Sequence, residues 1–254
     1  MAKKKGLLVF LVAAVVLTGI FYFAGFKVVI NNTLGSLMIR LTRVEKEILY
    51  TAQALLPFRK NPDVVLKVRF HKQEHALSCE IAALKMILNY HGVAVSEDEL
   101  LRDLPFDTAG PRSKNNVWGD PDRGFVGDID GKIPNIGYGV YENPIVDLAL
   151  QYREAKKMES AALADVLNEV ASGHPVIVWG SLGSGKDISW QTASGRPVKA
   201  VYGEHTRVLI GYGGAPENPK YVVLLDPIYG RITMSKNKFI KDWALLGNKA
   251  VVVY

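Results

Sequence analysis

The single cysteine of this chain, Cys79, occurs where a folded chain could build a nucleophile. It opens a run of small and apolar residues, 79–88, that predicts a buried helix, so Cys79 falls in the first helical turn. Unpaired amide donors and the positive end of the helix dipole favour a thiolate there. Gln73, six residues upstream, could donate its side-chain amide to an oxyanion formed at the target of the sulfur. The alternative is that Cys79 is a small buried apolar residue without chemistry.

A cysteine nucleophile needs a base, and His205 has the most suitable surroundings among five histidines. Residues 204–212 predict a turn that leads into an apolar strand, which would hold the imidazole rigidly at a sheet edge. The next apolar run, 221–225, ends at Asp226, so two antiparallel strands would bring this carboxylate beside the ring. A carboxylate in that position orients the imidazole and supports its charged form.

Residues 106–144 are rich in Gly, Pro, Asn and Asp, and we interpret them as a long functional loop. Trp118 and Tyr138 in this stretch could line a substrate cleft or fill the core. His75, in the loop before the helix, is expected in a substrate subsite or at the surface. One cysteine cannot build a Cys-rich zinc site, and the chemistry described above requires neither a metal nor an organic cofactor.

The order of the elements predicts an α+β fold with an antiparallel sheet, because helices come mostly first and strands cluster late. Helices are predicted over residues 79–90, 97–104, 160–171 and 235–246, where apolar periodicity is followed by Gly or Pro. Strands are predicted over residues 64–70, 175–179, 206–212, 221–225 and 249–253.

The first residues predict a membrane anchor. Residues 6–26 are 21 consecutive uncharged positions, 17 of them apolar, and a helix of that length crosses roughly 30 Å of hydrocarbon. A cleaved signal peptide is the alternative, but its apolar core is usually about 7–15 residues long. Three lysines precede the segment, so the positive-inside rule predicts a single-pass protein of the cell membrane whose C-terminal domain is extracytoplasmic. We expect three regions: residues 1–26 as cytoplasmic lysines and anchor, 27–62 as an amphipathic stalk or linker, and 63–254 as the catalytic domain.

The charge balance argues against a nucleic-acid partner. Lys and Arg outnumber Asp and Glu by 31 to 25, but three of these cations are Lys3, Lys4 and Lys5. The remainder of the chain shows no concentrated basic stretch of the kind that binds phosphates.

Several separated motifs, in order along the chain, resemble one known family. The motifs are Gln73 six residues before Cys79, Cys79-Glu80, Trp118-Gly119-Asp120-Pro121, residues 124–128, residues 137–141, Glu204-His205, Gly211-Tyr212, Asp226-Pro227 and residues 247–250. They cover about residues 66–254 and resemble the bacterial papain-like cysteine peptidases related to bacteriocin-processing double-glycine peptidases. The resemblance implies a papain-like fold. It also implies that Cys79 is the nucleophile, His205 the general base and acid, Asp226 the orienting carboxylate and Gln73 the oxyanion donor.

The sequence therefore predicts a membrane-anchored cysteine peptidase that acts on a peptide or protein substrate through a thioester intermediate. Two alternatives remain open at this point. An amine could capture the thioester, which would make the protein an acyltransferase or transpeptidase. The same domain could also bind peptides without catalysis.

Overall fold

The structure, a computed structural model, describes residues 63–158 and 160–254. The predicted anchor and stalk, residues 1–62, lie outside these ranges. Among the helices in the two described ranges, none has the length and apolar character needed to cross a bilayer.

Four predicted helices occur within three residues of their expected ends, and a fifth helix was not predicted. In chain order the helices of the described residues are α1 (Cys79–Tyr90), α2 (Glu97–Asp103), α3 (Glu142–Leu150), α4 (Leu163–Ala171) and α5 (Lys236–Ala244). The strands are β1 (Val64–Val65), β2 (Phe106–Thr108), β3 (Phe125–Gly127), β4 (Gly137–Gly139), β5 (Ala155–Lys157), β6 (Val176–Ser181), β7 (Asp187–Gln191), β8 (Pro197–Val201), β9 (Glu204–Ala215), β10 (Asn218–Asp226), β11 (Gly230–Ser235) and β12 (Ala250–Val253).

The main sheet has seven strands in the order β11-β10-β9-β6-β12-β5, and β1 pairs with β9. Every pairing in this sheet is antiparallel. The fold is therefore a mixed α and β fold with an antiparallel sheet, as the sequence predicts. Its central strand, β9, begins with Glu204 and His205.

Both faces of the main sheet are covered, because its strands are apolar on both sides. In β6, Ile177 and Trp179 belong to the core that contains α1, whereas Val176 and Val178 belong to the core that contains α4 and α5. This alternation follows the two-residue period of a strand. A continuous apolar run such as β6 is typical of a sheet that is buried on both faces.

Helix α1 lies against β9 and is almost entirely buried. Nine of its twelve residues are buried, since Ile, Ala, Leu and Met occupy nearly all of its surface. The helix ends before Gly92, whose positive φ of 83° allows the chain to turn where other residues would be strained.

Two sequence predictions are wrong. Residues 106–144 are not one loop, because β2, β3 and β4 form a small sheet there and α3 begins at Glu142. These strands are only three residues long and contain four glycines or aspartates among nine positions, so strand propensity gives little signal. The strand predicted over 64–70 reduces to the two residues of β1.

The core packing of α1 leads to a stability prediction. Leu84 is fully buried in the core between α1 and the sheet. We expect Leu84→Ala to lower the free energy of unfolding by about 2–5 kcal/mol, because it removes buried methyl groups and leaves a cavity. The control is Leu150→Ala, since Leu150 is 52% exposed, and this change should cost less than about 0.5 kcal/mol. Chemical denaturation measures both variants, and equal losses would contradict the assignment of α1 to the core.

Candidate active site

Cys79 is the first residue of α1 and lies at a small cavity at one end of the main sheet. The cavity has a volume of about 140 Å³ and is lined by Cys79, His205, Gln73 and Tyr138, among others. The cysteine is 4% exposed, so this opening is where a substrate could meet the sulfur. The structure thus brings the expected nucleophile, base and oxyanion donor to one cavity.

The start of β9 divides its side chains between two clusters. Successive side chains of a strand point to opposite faces, so Glu204 lies near Cys79 whereas His205 lies near Asp226. The His205 Nε2 atom is 3.1 Å from Asp226 Oδ2, an ion-pair distance, although it makes no hydrogen bond of good geometry. The backbone of Thr206 forms a hydrogen bond with the Cys79 thiol. The Cys79 sulfur therefore contacts the residue that follows His205 in β9.

Arg207 holds Asp226 in place. Its Nε donates to Asp226 Oδ2 at 2.9 Å, its Nη1 to Asp242 at 3.0 Å and its Nη2 to the Ser181 carbonyl at 3.1 Å. Asp226 Oδ1 accepts two further hydrogen bonds from backbone N–H groups of the turn that follows β10. Burial alone would raise the pKa of Asp226, but His205, Arg207 and these N–H donors outweigh it and hold the pKa well below its usual range.

The expected low pKa of the thiol is contradicted by the structure. Burial raises the pKa of Cys79 well above its usual range, and the carboxylates of Glu80 and Glu204 raise it further. Burial also lowers the pKa of His205, against the opposing effect of Asp226. The thiol donates its hydrogen bond to Glu80 Oε2 at 3.2 Å. At rest the cysteine and histidine are therefore neutral, because the helix dipole does not compensate for the burial of two charges.

Glu80 and Glu204 are site residues that the sequence reasoning missed. Glu80 lies in the first helical turn, and its side chain is fully buried and contacts the sulfur. The signal was available in the sequence, because a glutamate adjoins each expected catalytic residue, in Cys79-Glu80 and Glu204-His205. A carboxylate inside an otherwise apolar helix start indicates a buried polar partner.

Gln73 reaches the cavity, but its amide donors are already engaged. Its Nε2 donates to the carbonyl oxygens of His75 at 2.8 Å and Ala76 at 3.0 Å, and its Oε1 is buried without a partner. The Gln73 backbone N–H donates to the Pro227 carbonyl at 3.0 Å, which ties this loop to the turn after Asp226. The oxyanion role of Gln73 requires one of its amide hydrogens to be released.

Glu97, at the start of α2, organises the loop before Cys79. Its buried carboxylate accepts hydrogen bonds from Ser78 Oγ at 2.7 Å and from the Glu74 N–H, and it lies 2.7 Å from His71 Nε2. The loop between residues 71 and 78 is therefore fixed at several points by one side chain.

The three residues expected to bind substrate lie in different places. Tyr138 lines the cavity, and its hydroxyl group makes hydrogen bonds with Tyr141 and with the backbone N–H of Val201. Trp118 is 3% exposed, packs against Trp190 and is not among the cavity-lining residues. His75 lies outside the cavity lining and pairs with Asp130 through Nδ1 at 3.0 Å.

Two groups of side chains in the described ranges bring three potential metal-binding atoms within 4.8 Å of one another. These groups are His71 with Glu74 and Glu97, and Cys79 with Glu80 and Glu204. One pair in each group is joined by a hydrogen bond, His71 with Glu97 and Cys79 with Glu80. We assign a metal to neither group.

Comparison with known proteins identifies the family of this chain. Residues 65–251 match the model of the Peptidase_C39 like family, and the chain belongs to that family. The uncharacterized protein YvpB of Bacillus subtilis (strain 168) is 30% identical over 197 residues, which cover 75% of this chain and 74% of YvpB.

Two solved structures are similar to this chain, and the first of them supports the same family. A crystal structure from Bacillus anthracis, described as a provisional C39-like peptidase, is 27% identical with a TM-score of 0.65, and the match covers 77% of this chain and 98% of that one. The peptidase domain of Streptococcus ComA, described as a bi-functional ABC transporter involved in quorum sensing, is 16% identical with a TM-score of 0.44, over 73% of this chain and 98% of that one. Membership of this family indicates peptidase activity.

The low pKa of Asp226 leads to a prediction about stability and pH. Asp226→Asn removes a buried anion from Arg207, and we expect a loss of about 3–5 kcal/mol at neutral pH. A carboxylate whose folded pKa is depressed stabilises the fold above its unfolded pKa of about 4, and this contribution is lost as the pH falls below that value. The difference between wild type and variant should therefore shrink below about pH 4.

Thermal unfolding across the pH range measures this difference. The control is Asp187→Asn, because Asp187 is exposed and this change should leave the pH profile as it is. A difference that stays constant from neutral to acidic pH would contradict the buried ion pair.

Proposed function

We propose that this chain is a cysteine peptidase that hydrolyses peptide bonds through Cys79, His205 and Asp226 on a papain-like fold. The observation that carries the proposal is that Cys79 and His205 line the same cavity while Asp226 lies against the His205 ring. A nucleophile, a base and an orienting carboxylate are the parts that such a reaction needs. Membership of the Peptidase_C39 like family supports the same reaction.

The neutral resting state determines how the reaction starts. The thiol proton moves to His205 as the sulfur attacks the peptide carbonyl, so the thiolate and imidazolium form together rather than in advance. The new S–C bond produces an oxyanion, which the Cys79 backbone N–H and the Gln73 amide stabilise. The Gln73 amide gives up one of its bonds to the loop carbonyls to do so.

The second half of the reaction returns the site to its starting state. His205 gives the proton to the leaving amine as the C–N bond breaks, which leaves a thioester on Cys79. His205 then takes a proton from water as that water attacks the thioester carbonyl, the C–S bond breaks to release the acid, and His205 returns the proton to the sulfur. Asp226 supports the cationic imidazole in each half, and burial strengthens that interaction because little water screens it.

The activity test compares two histidines that each face a carboxylate. His205→Ala should lower kcat for peptide cleavage by at least about a thousandfold, because it removes the base. His174→Ala is the matched control, since His174 pairs with Glu169 at 3.0 Å but belongs to another part of the fold. Cys79→Ala should abolish turnover with the fold intact. Cleavage of a peptide library, followed by mass spectrometry, measures all three, and retained cleavage by Cys79→Ala would refute the proposal.

The burial and raised pKa of the Cys79 thiol favour a second candidate, a peptide-binding module without catalysis. In that case wild type and Cys79→Ala bind library peptides equally and neither yields products. Addition of an amine to the same assay separates hydrolysis from acyl transfer, because an acyltransferase would give amide products in place of free acids.

We further propose that residues 6–26 anchor the chain in the cell membrane and that the catalytic domain is extracytoplasmic. The 21 uncharged residues and the three preceding lysines support this orientation. Deletion of residues 2–26 should move the protein from the membrane fraction to the soluble fraction. Digestion of intact cells or spheroplasts with an added protease should cleave the full-length chain, and complete protection would contradict the orientation.

A further inference from the structure

A buried pair of carboxyl groups accompanies the catalytic cysteine. Glu80 and Glu204 are 0% and 5% exposed, and an oxygen of each lies within 4.8 Å of the other and of Cys79 Sγ. The two side chains meet over Gly139, where a Cβ atom would lie 2.6 Å from an oxygen of either carboxyl group. The glycine therefore makes room for the contact, and its φ of 147° is also unfavourable for other residues.

No cation of the described residues is in direct contact with this pair, and Arg207 acts on Glu204 only at longer range. Neither carboxyl group forms a salt bridge with Lys, Arg or His within residues 63–158 and 160–254. Glu80 accepts hydrogen bonds from the Val140 N–H at 2.8 Å and from the thiol, and Glu204 accepts one from Thr206 Oγ1 at 3.5 Å. The guanidinium of Arg207 donates instead to Asp226, Asp242 and the Ser181 carbonyl.

Two buried carboxylates at this distance cannot both be ionised without a large electrostatic cost. Burial raises the pKa of Glu80, and burial together with the neighbouring Glu80 raises the pKa of Glu204. The pair therefore retains a proton at pH values where isolated glutamates have lost theirs.

The other titratable groups around the pair do not hold the retained proton in its place. Tyr138 and Tyr141, from β4 and the residues just after it, are buried, and burial raises the pKa of both phenols, so they stay neutral. Arg207, from β9, stays cationic and slightly favours the charged form of Glu204. His205 follows Glu204 in the strand and is neutral at rest because burial lowers its pKa.

We propose that Glu80 and Glu204 share a proton, that Glu80 is a catalytic residue whose protonated carboxyl donates to the ionised sulfur, and that Glu204 is a positioning residue that keeps Glu80 protonated. This inference rests on the proposed peptidase function and adds two residues to its site.

The proton balance of the step supports both roles. At rest the thiol donates to a Glu80 oxygen, and this oxygen needs no proton of its own to accept the hydrogen bond. Once the thiol proton has moved to His205, the sulfur is an anion 3.2 Å from the same oxygen. The contact is attractive only if the shared proton sits on Glu80, which then donates to the sulfur. No proton leaves the carboxyl pair in this step. When the thioester is cleaved and the sulfur regains its proton, the thiol again donates to Glu80.

The test measures ionisation of the thiol without any need for turnover. Cys79 is the only cysteine in the sequence, so the ultraviolet absorbance of its thiolate can be followed against pH in the full-length chain, with Cys79→Ser as the blank. Glu80→Gln imitates a permanently protonated carboxyl, and it should lower the pH midpoint of thiolate formation by about one unit or more. Glu204→Gln leaves the remaining charge on Glu80 beside the sulfur, so the midpoint should stay unchanged or rise.

The double variant Glu80→Gln/Glu204→Gln should have the same pH midpoint as Glu80→Gln, because both variants lack the charge next to the sulfur. The control is Glu169→Gln, whose carboxylate pairs with His174 and Lys156, and its midpoint should match wild type. Equal downward shifts in the two single variants would show independent charges and overturn the shared proton. Unchanged midpoints in all variants would overturn both roles.

A second measurement on unmutated protein covers the case in which these variants do not fold. Infrared spectra of chain labelled with ¹³C at the glutamate carboxyl groups should contain a protonated glutamic acid band at neutral pH, and its absence would overturn the proposal. Both readouts are independent of peptide cleavage. If the midpoints shift as expected but the protein cleaves no peptide, the peptidase function is refuted and the shared proton stands. If the protein cleaves peptides but the midpoints do not shift, the peptidase function stands and the shared proton is refuted.

Discussion

The alternation of side chains at the start of β9 determines the chemistry of this site. Glu204 faces the beginning of α1, where the nucleophile lies, while His205 and Arg207 face the end of β10, where Asp226 lies. A shift of one residue in the register of this strand would exchange the two sets. The pairing of β9 with β6 and β10 on either side fixes the register. The sheet thus places two ionisable clusters around one small cavity.

Both clusters are buried, and each limits its net buried charge by a different means. On the side of His205, the guanidinium of Arg207 lies between Asp226 and Asp242, so its charge compensates two carboxylates in part. On the side of Cys79, the carboxyl groups of Glu80 and Glu204 have no cation in direct contact, and the shared proton takes its place. The two clusters have opposite pH dependence, because the depressed pKa of Asp226 stabilises the fold above acidic pH and the raised pKa values of the glutamates stabilise it towards low pH. A buried site of this kind favours neutral reactants and separates charge only during the reaction.

Much of the architecture could be predicted from the sequence, because long apolar elements carry a strong periodic signal. The ends of α1 were predicted to the residue, since Cys79 opens its apolar run and Gly92 closes it. The short strands β2, β3 and β4 were missed because their glycines and turn residues resemble a loop, and their pairing depends on partners far along the chain. The neighbourhood of His205 and Asp226 followed from two consecutive strands. The ionisation state of Cys79 could not be predicted from the sequence, because it depends on burial and on Glu204. This residue lies 125 positions away in the sequence and adjoins the sulfur only in the fold.

The most direct test of the account is covalent capture of Cys79 by short peptide aldehydes, which form a hemithioacetal only with a nucleophilic sulfur. Intact-mass measurement, followed by a crystal structure of the adduct, would locate the bond. We expect one adduct per chain, on Cys79, with the adduct oxygen near Gln73 and the His205 ring within hydrogen-bond distance of the new bond. Aldehydes that bind without any covalent adduct, or an adduct whose oxygen faces away from Gln73 and His205, would contradict it.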